Sequence, residues 1–189
     1  MQKLVDTARA AGDTLGGEVE VIAENVPPGL GNIGQPESRL DAQLAQGLMS
    51  IPSVKAVEIG DGVQSSHLPG SAVHDEITMT AGKIQRKSNR AGGVEGGLSN
   101  SERLVVRAFL KPIPTLANPL ASVNLQDGSS TKAPYIRADV VVIPAASVVA
   151  EAMVAFILTR ALLEKFGHDH LNDIQQALSQ YRKRLRFLG

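Results

Sequence analysis

Hydrophobic and polar positions along the chain follow two periods. From Glu18 to Val26 they alternate as in a strand, with Val19, Val21 and Ala23 on one face and Glu18, Glu20 and Glu24 on the other. One face should be buried and the other wet or paired. Arg39 to Met49 switches to helical spacing through Leu40, Leu44, Ala45 and Leu48, and Val54–Ile59 and Leu104–Leu110 read as further strands. Residues 2–11 form a short amphipathic helix stopped by Gly12. A strongly apolar helix is predicted from Ser147 to Phe166, ending at Gly167, and a second from Leu171 to Leu185 with Asp169 or His170 near its cap.

Between these elements the signals weaken. Residues 60–97 are rich in glycine, serine and charge without sustained periodicity, which predicts a long loop region. Pro112, Pro114 and Pro119 punctuate an extended stretch, Asp127-Gly128 marks a hairpin tip before Ala133–Ile136, and Val140–Ile143 is β-branched and apolar. No βαβ register repeats, so the expected class is an α+β layered sandwich, one domain over residues 1–189.

Composition narrows the chemistry. A 43% hydrophobic content over 189 residues is enough for one real core. Nineteen basic and nineteen acidic residues cancel, which removes the long-range attraction of a general nucleic-acid or anionic-membrane binder; small molecules or other subunits are the expected partners. Cysteine is absent, so disulfide and thiolate chemistry are excluded, and the four histidines lack metal-ligand spacing. No metal site is expected. The N-terminal segment lacks a signal-type apolar core, and no run is read as approaching the roughly eighteen apolar residues of a membrane span, so the cytoplasm is the expected location.

The densest chemical signal lies at Ser88–Asn100, S-N-R-A-G-G-V-E-G-G-L-S-N. Two Gly-Gly pairs, Gly92-Gly93 and Gly96-Gly97, stand beside Arg86, Lys87 and Arg90. Clustered glycine is costly unless the backbone needs positive φ or a close approach, so a flat or anionic ligand against bare main chain is one reading and a turn the other. The spacing fits neither a P-loop nor a Rossmann fingerprint. The best polar constellation is Arg90, Lys111, Arg137 and Asp139 on three loops, suited to a cofactor with a phosphate and a planar ring; on the residues alone, Arg137 and Asp139 read first as a surface pair two residues apart on a strand, the commoner fate of such residues.

The glycine-rich run closely resembles the C-terminal signature of the chorismate synthase family. Other segments match in order: P-P-G-L-G at Pro27–Gly31, L-M-S-I-P-S-V-K-A-V-E-I-G-D-G at Leu48–Gly62, H-D-E-I at His74–Ile77, K-P-I-P-T at Lys111–Thr115, I-R-A-D at Ile136–Asp139 and V-V-A-E-A-M-V-A at Val148–Ala155. The resemblance covers the C-terminal half or so of the family's chain. It implies the family's layered α/β sandwich without its N-terminal half, in which two acid-base histidines and most substrate-phosphate arginines would lie.

It further implies a carbon-oxygen lyase of aromatic amino acid biosynthesis. Such an enzyme uses reduced flavin mononucleotide (FMN) to eliminate phosphate from 5-enolpyruvylshikimate 3-phosphate and give chorismate, with NADPH at most a reductant, as a homo-oligomer that is tetrameric in the family. Flavin contacts would fall on Pro52, Ser53, Gly96, Lys111, Pro112, Ile113, Pro114, Thr115 and Arg137. Asp139 would tune the basicity of a flavin nitrogen. Two positions depart from the pattern: Ser101 stands where glycine is usual and would be strained at positive φ, and Ala138 sits inside the Arg-x-Asp motif. His67, His74, His168 and His170 are assigned no catalytic part.

Overall fold

The computed structural model of the chain describes residues 1–185. Helix α1 (Gln2–Ala11) ends at Gly12, whose φ of 69° forms a left-handed cap with its N–H on the Ala8 and Arg9 carbonyls. Strand β1 (Gly17–Ala23), helix α2 (Leu40–Met49) and strand β2 (Val54–Ile59) follow. β1 stops three residues before the predicted Val26, because Asn25 turns the chain at a φ of 58°.

The stretch expected to be an irregular loop is structured. It holds α3 (Gly62–Ser65), α4 (Gly70–Val73), a hairpin of β3 (Ile77–Thr80) and β4 (Lys83–Arg86), and the start of a smaller hairpin of β5 (Val94–Glu95) and β6 (Leu98–Ser99). None of these exceeds four residues, too few for a period to show. Then come β7 (Leu104–Leu110), β8 (Ala121–Val123), β9 (Ser130–Lys132), α5 (Ile143–Phe166) and α6 (Leu171–Arg184).

Two further expectations need correction. The hairpin around Asp127-Gly128 exists, but its return strand is β9, and residues 133–136 form no strand. Val140–Ile143 is not a strand either: Val141 makes one isolated bridge to Leu15, and Ile143-Pro144 already opens α5, with proline in the first turn where its missing N–H costs nothing.

β7 is the centre of an antiparallel sheet ordered β1-β7-β2, registered from Gly17 opposite Leu110 to Ala23 opposite Leu104, with a bulge in β2 between Val54 and Ala56. Its strict alternation buries Leu104, Val106, Ala108 and Leu110 and leaves Val105, Arg107 and Phe109 half-exposed. Helices α2 and α5 cover the buried face. Leu40, Leu44 and Leu48 of α2 are fully buried, and Ala146, Ala150, Val154, Ile157 and Ala161 form the matching stripe on α5. Gly47 lets the helices meet closely, since a Cβ there would lie 2.5 Å from the Ile157 Cδ1. Truncating one of the buried leucines to alanine should cost about 2–5 kcal/mol.

α5 is apolar well beyond that stripe; Val148, Val149 and Phe156 are exposed. By length and composition it could cross a membrane, which corrects the expectation that no run approaches that length. α6 begins at His170, whose Nδ1 accepts the Asn172 N–H at 3.3 Å, as the cap prediction required. In its basic last turn the Arg184 guanidinium lies over the Tyr181 ring, and Arg182 donates to the Asn25 carbonyl. Arg186 of that run lies outside the described residues.

Candidate functional site

The glycine-rich run occupies the end of the sheet where β7 begins. Gly92 and Gly93 have φ of 62° and 81° and are buried against main chain. A Cβ would lie 2.3 Å from the Gly60 nitrogen at Gly92 and 2.6 Å from the Arg103 carbonyl oxygen at Gly93. At Gly97 it would lie 2.7 Å from the Arg39 Cγ. Only at Gly96, φ 60°, does the space around the missing side chain stay open within 4 Å. Three of the four glycines are thus taken up by the protein's own packing, and Gly96 alone offers free main chain at the tip of the β5–β6 hairpin.

Two side chains hold this region. The Asp75 carboxylate accepts the Ser88 hydroxyl, the Arg90 N–H at 2.8 Å and the Ala91 N–H at 3.0 Å. Burial pushes its pKa upward, but the Ser88 hydroxyl, the two amides and the Arg86 guanidinium outweigh burial and hold it below the usual carboxylate range. Asn89 accepts the Gly93 N–H at 3.0 Å and donates to the Arg103 carbonyl at 2.8 Å. Both residues stood in recognised segments, but their partners are distant or irregular in sequence, and no spacing signalled the anchor.

The remaining candidates gather at the opposite end of the sheet. The Lys111 N–H donates to the Ser53 carbonyl at 2.9 Å, the Thr14 hydroxyl to the Ile113 carbonyl at 2.6 Å, and the Leu15 N–H to the Val140 carbonyl at 2.8 Å. These bonds place Pro52-Ser53, Lys111–Thr115 and the chain bearing Arg137 and Asp139 side by side. Pro52, Lys111, Pro112, Pro114, Arg137 and Asp139 are exposed, and Ser53, Ile113 and Thr115 are half-buried. Ser53 has a φ of 73°, a costly conformation for a residue with a Cβ, and the Thr115 hydroxyl is buried without a partner.

The constellation of Arg90, Lys111, Arg137 and Asp139 is therefore not assembled. Arg90 lies 3.7 Å from Asp61 beyond the far end of β2, separated from Lys111 by the seven residues of β7, about 20 Å of strand. Ser101 has a φ of 75°, the strain expected where a glycine is replaced. Glu18 and Glu20 of β1 find a partner on the open face of the sheet: Arg107 lies 3.3 Å from Glu18 and bonds Glu20 at 2.8 Å, and it also bonds Glu58 of β2 at 3.2 Å. A cleft lined by Glu24, Asn25, Pro27, Pro28, Arg103 and Arg182 contains none of the candidate residues.

Fold and site together define an α+β protein with helices on one face of an antiparallel sheet and a cluster of uncommitted polar groups at one sheet end. A family model described as chorismate synthase matches residues 1–163. Chorismate synthases of Syntrophomonas wolfei and Moorella thermoacetica are 50% and 51% identical over 187 residues, 98% of this chain but 47% and 49% of theirs. A crystal structure of a chorismate synthase superposes with a TM-score of 0.82 at 40% identity, covering 98% of this chain and 48% of that one. The chain belongs to the chorismate synthase family and spans about half the length of the relatives it matches.

Proposed function

We propose that the chain is the flavin-binding portion of a chorismate synthase, which converts 5-enolpyruvylshikimate 3-phosphate to chorismate by 1,4-elimination of phosphate. The observation that carries this is the meeting of Ser53, Lys111–Thr115 and the Arg137–Asp139 segment at one sheet end. Their chemistry fits FMN. Two exposed cations, Lys111 and Arg137, suit a phosphate, while the buried, unpartnered Thr115 hydroxyl and the strained Ser53 suit a site awaiting a polar group.

When bound, reduced FMN supplies transient electron density for the departure of phosphate. Lys111 and Arg137 would hold the phosphorylated end by charge-assisted hydrogen bonds. Pro112 and Pro114 fix the path of the segment that carries Lys111, limiting the entropy lost on binding. Asp139 would act by its charge, since a carboxylate beside a ring nitrogen raises that nitrogen's basicity. A homo-oligomer, tetrameric by resemblance to the family, a cytoplasmic location and NADPH solely as reductant complete the proposal.

Anaerobic titration of reduced FMN into the chain should show binding, and adding the N-terminal half of the Syntrophomonas wolfei relative should give chorismate formation. No binding and no turnover in either state would reject the assignment. The exposed apolar face of α5 favours a second reading, a noncatalytic module that docks on other subunits. Self-association in sedimentation with no affinity for flavin would select it.

A further inference from the structure

β2 carries one residue more than its pairing with β7 uses. Val54 stands opposite Leu110 and Ala56 opposite Phe109, so Lys55 is an extra residue without a place on the ladder. Core packing does not call for it. Val54 is buried and Val57 and Ile59 pack against the core, while Ala56 and Glu58 stand opposite the outward Phe109 and Arg107. With Lys55 left out, V-A-V-E-I would alternate strictly in and out; with it present, the strand needs a bulge to keep the same side chains on their faces. The insertion adds one exposed lysine, at the kind of irregularity that re-aims side chains beside binding sites.

Its place is the sheet end that holds the candidate cluster. Ser53, with its φ of 73°, lies two residues before Lys55, and its carbonyl takes the Lys111 N–H. Lys55 and Lys111 flank the rung formed by Val54 and Leu110, two residues apart along the ladder and one strand across, so their Cα atoms stand about 8 Å apart. Two flexible ammonium stems at that spacing can close on one anion.

The carboxylates of the open face are engaged elsewhere. Glu18, Glu20, Glu58 and Asp61 gather around Arg107, at 3.3, 2.8, 3.2 and 3.9 Å. Lys55, Lys111 and Arg137 make no ion pair among the described residues, and Asp139, the carboxylate of the cluster itself, pairs with none of them. Like charges on neighbouring strand positions repel until an anion joins them. Resting on the assignment of a phosphorylated ligand to this end, we infer that Lys55 is a further binding residue of the site: the bulge sets its ammonium beside that of Lys111 to hold a phosphate monoester. FMN and 5-enolpyruvylshikimate 3-phosphate both carry that group, and the test separates them.

Lys55→Met keeps an unbranched stem and removes the charge. Reduced FMN and reduced riboflavin, which lacks the phosphate, are titrated anaerobically into wild type and variant, with urea midpoints as the control for folding. A loss of about tenfold for FMN with riboflavin unchanged, the equivalent of one charge-assisted hydrogen bond, assigns Lys55 to the flavin phosphate. Unchanged flavin affinity with a rise of about tenfold in KM for 5-enolpyruvylshikimate 3-phosphate, in the enzyme reconstituted with the N-terminal half, assigns it to the substrate phosphate. Lys55→Arg, which keeps the charge, should restore most of either loss.

Flavin affinity and KM both unchanged in Lys55→Met, or equal losses for FMN and riboflavin, overturn the role of Lys55 while flavin binding stands. Should the wild-type chain ignore flavin, the flavin reading falls and Lys55 is judged with inorganic phosphate alone. Slower reductive methylation of Lys55 and Lys111 in its presence keeps the anion site, and an unaltered rate rejects it.

Discussion

At the end of the sheet where β7 begins, the irregular chain closes on itself. Asp75 and Asn89 tie the run from Ser88 to Gly93, and the buried Ser99 hydroxyl donates to the Pro27 carbonyl at 2.6 Å while accepting the Leu30 N–H at 2.8 Å. At the end where β7 finishes, the backbone is pinned by a few main-chain bonds, and Lys111, Arg137 and Asp139 project into solvent. Apart from the open Gly96, the first end is finished scaffold. The second keeps its polar groups uncommitted, as a binding site must before its ligand arrives. Glycine density and ligand contact are thus separate properties: close packing of main chain on main chain needs glycine as much as a cofactor does.

The sharpest test of that contrast sets two glycines of one hairpin against each other. Gly93→Ala combines positive φ with a methyl 2.6 Å from a carbonyl oxygen, so urea unfolding should show a loss of about 3 kcal/mol or more. Gly96→Ala meets open space and should lose only about 1 kcal/mol from its φ. Equal losses would break the distinction between packed and free glycine. Next in size, Asp75→Ala leaves the Arg90 and Ala91 amides without their acceptor and should cost about 2–3 kcal/mol. Because the folded pKa of Asp75 is depressed, its contribution is complete above the ordinary carboxylate value of about 3.9 and fades as pH falls through the lower folded value. The stability of Asp75→Asn should lack that acid-side decline.

The sequence made the large elements readable because β1, β7 and α2 each keep one face buried for seven or more residues, long enough for a period of 2 or 3.6 to emerge. The β3–β4 hairpin stayed hidden because each strand has four residues, too few for the alternation of Ile77, Met79 and Ile84 to stand out, and because Thr80-Ala81-Gly82-Lys83 carries its turn in two positive-φ residues. α5 was read four residues short, since Ile143 looks like strand and only Pro144 marks the helix entry. Of the site, the Lys111–Thr115 and Arg137–Asp139 segments were legible through their motif residues. Their separation from Gly96 and Arg90 was not, because it is set by which end of β7 each loop leaves, a long-range fact that local spacing does not encode.

A smaller effect probes the strained residue at the scaffold end. Ser101→Gly relieves a φ of 75° and should raise stability by about 1 kcal/mol in the same unfolding assay. Stability unchanged or lowered would mean that the serine side chain compensates for its own strain.

The smallest stability changes belong to the open end, and there the contrast is most exposed to failure. Lys111→Ala, Arg137→Ala and Asp139→Ala each remove a solvent-exposed side chain that makes no ion pair among the described residues, so unfolding should move by no more than about 0.5 kcal/mol. On the proposed assignment, affinity for reduced FMN should nevertheless fall about tenfold with Lys111→Ala and Arg137→Ala, each of which would lose a charge-assisted bond to phosphate. Asp139→Ala should spare binding more than turnover in the reconstituted enzyme, since its proposed part is to shift a proton affinity and not to anchor the ligand. A loss of stability above about 1 kcal/mol at any of the three would mean that this end, too, is scaffold, because a group held ready for a ligand contributes little to the fold before the ligand binds.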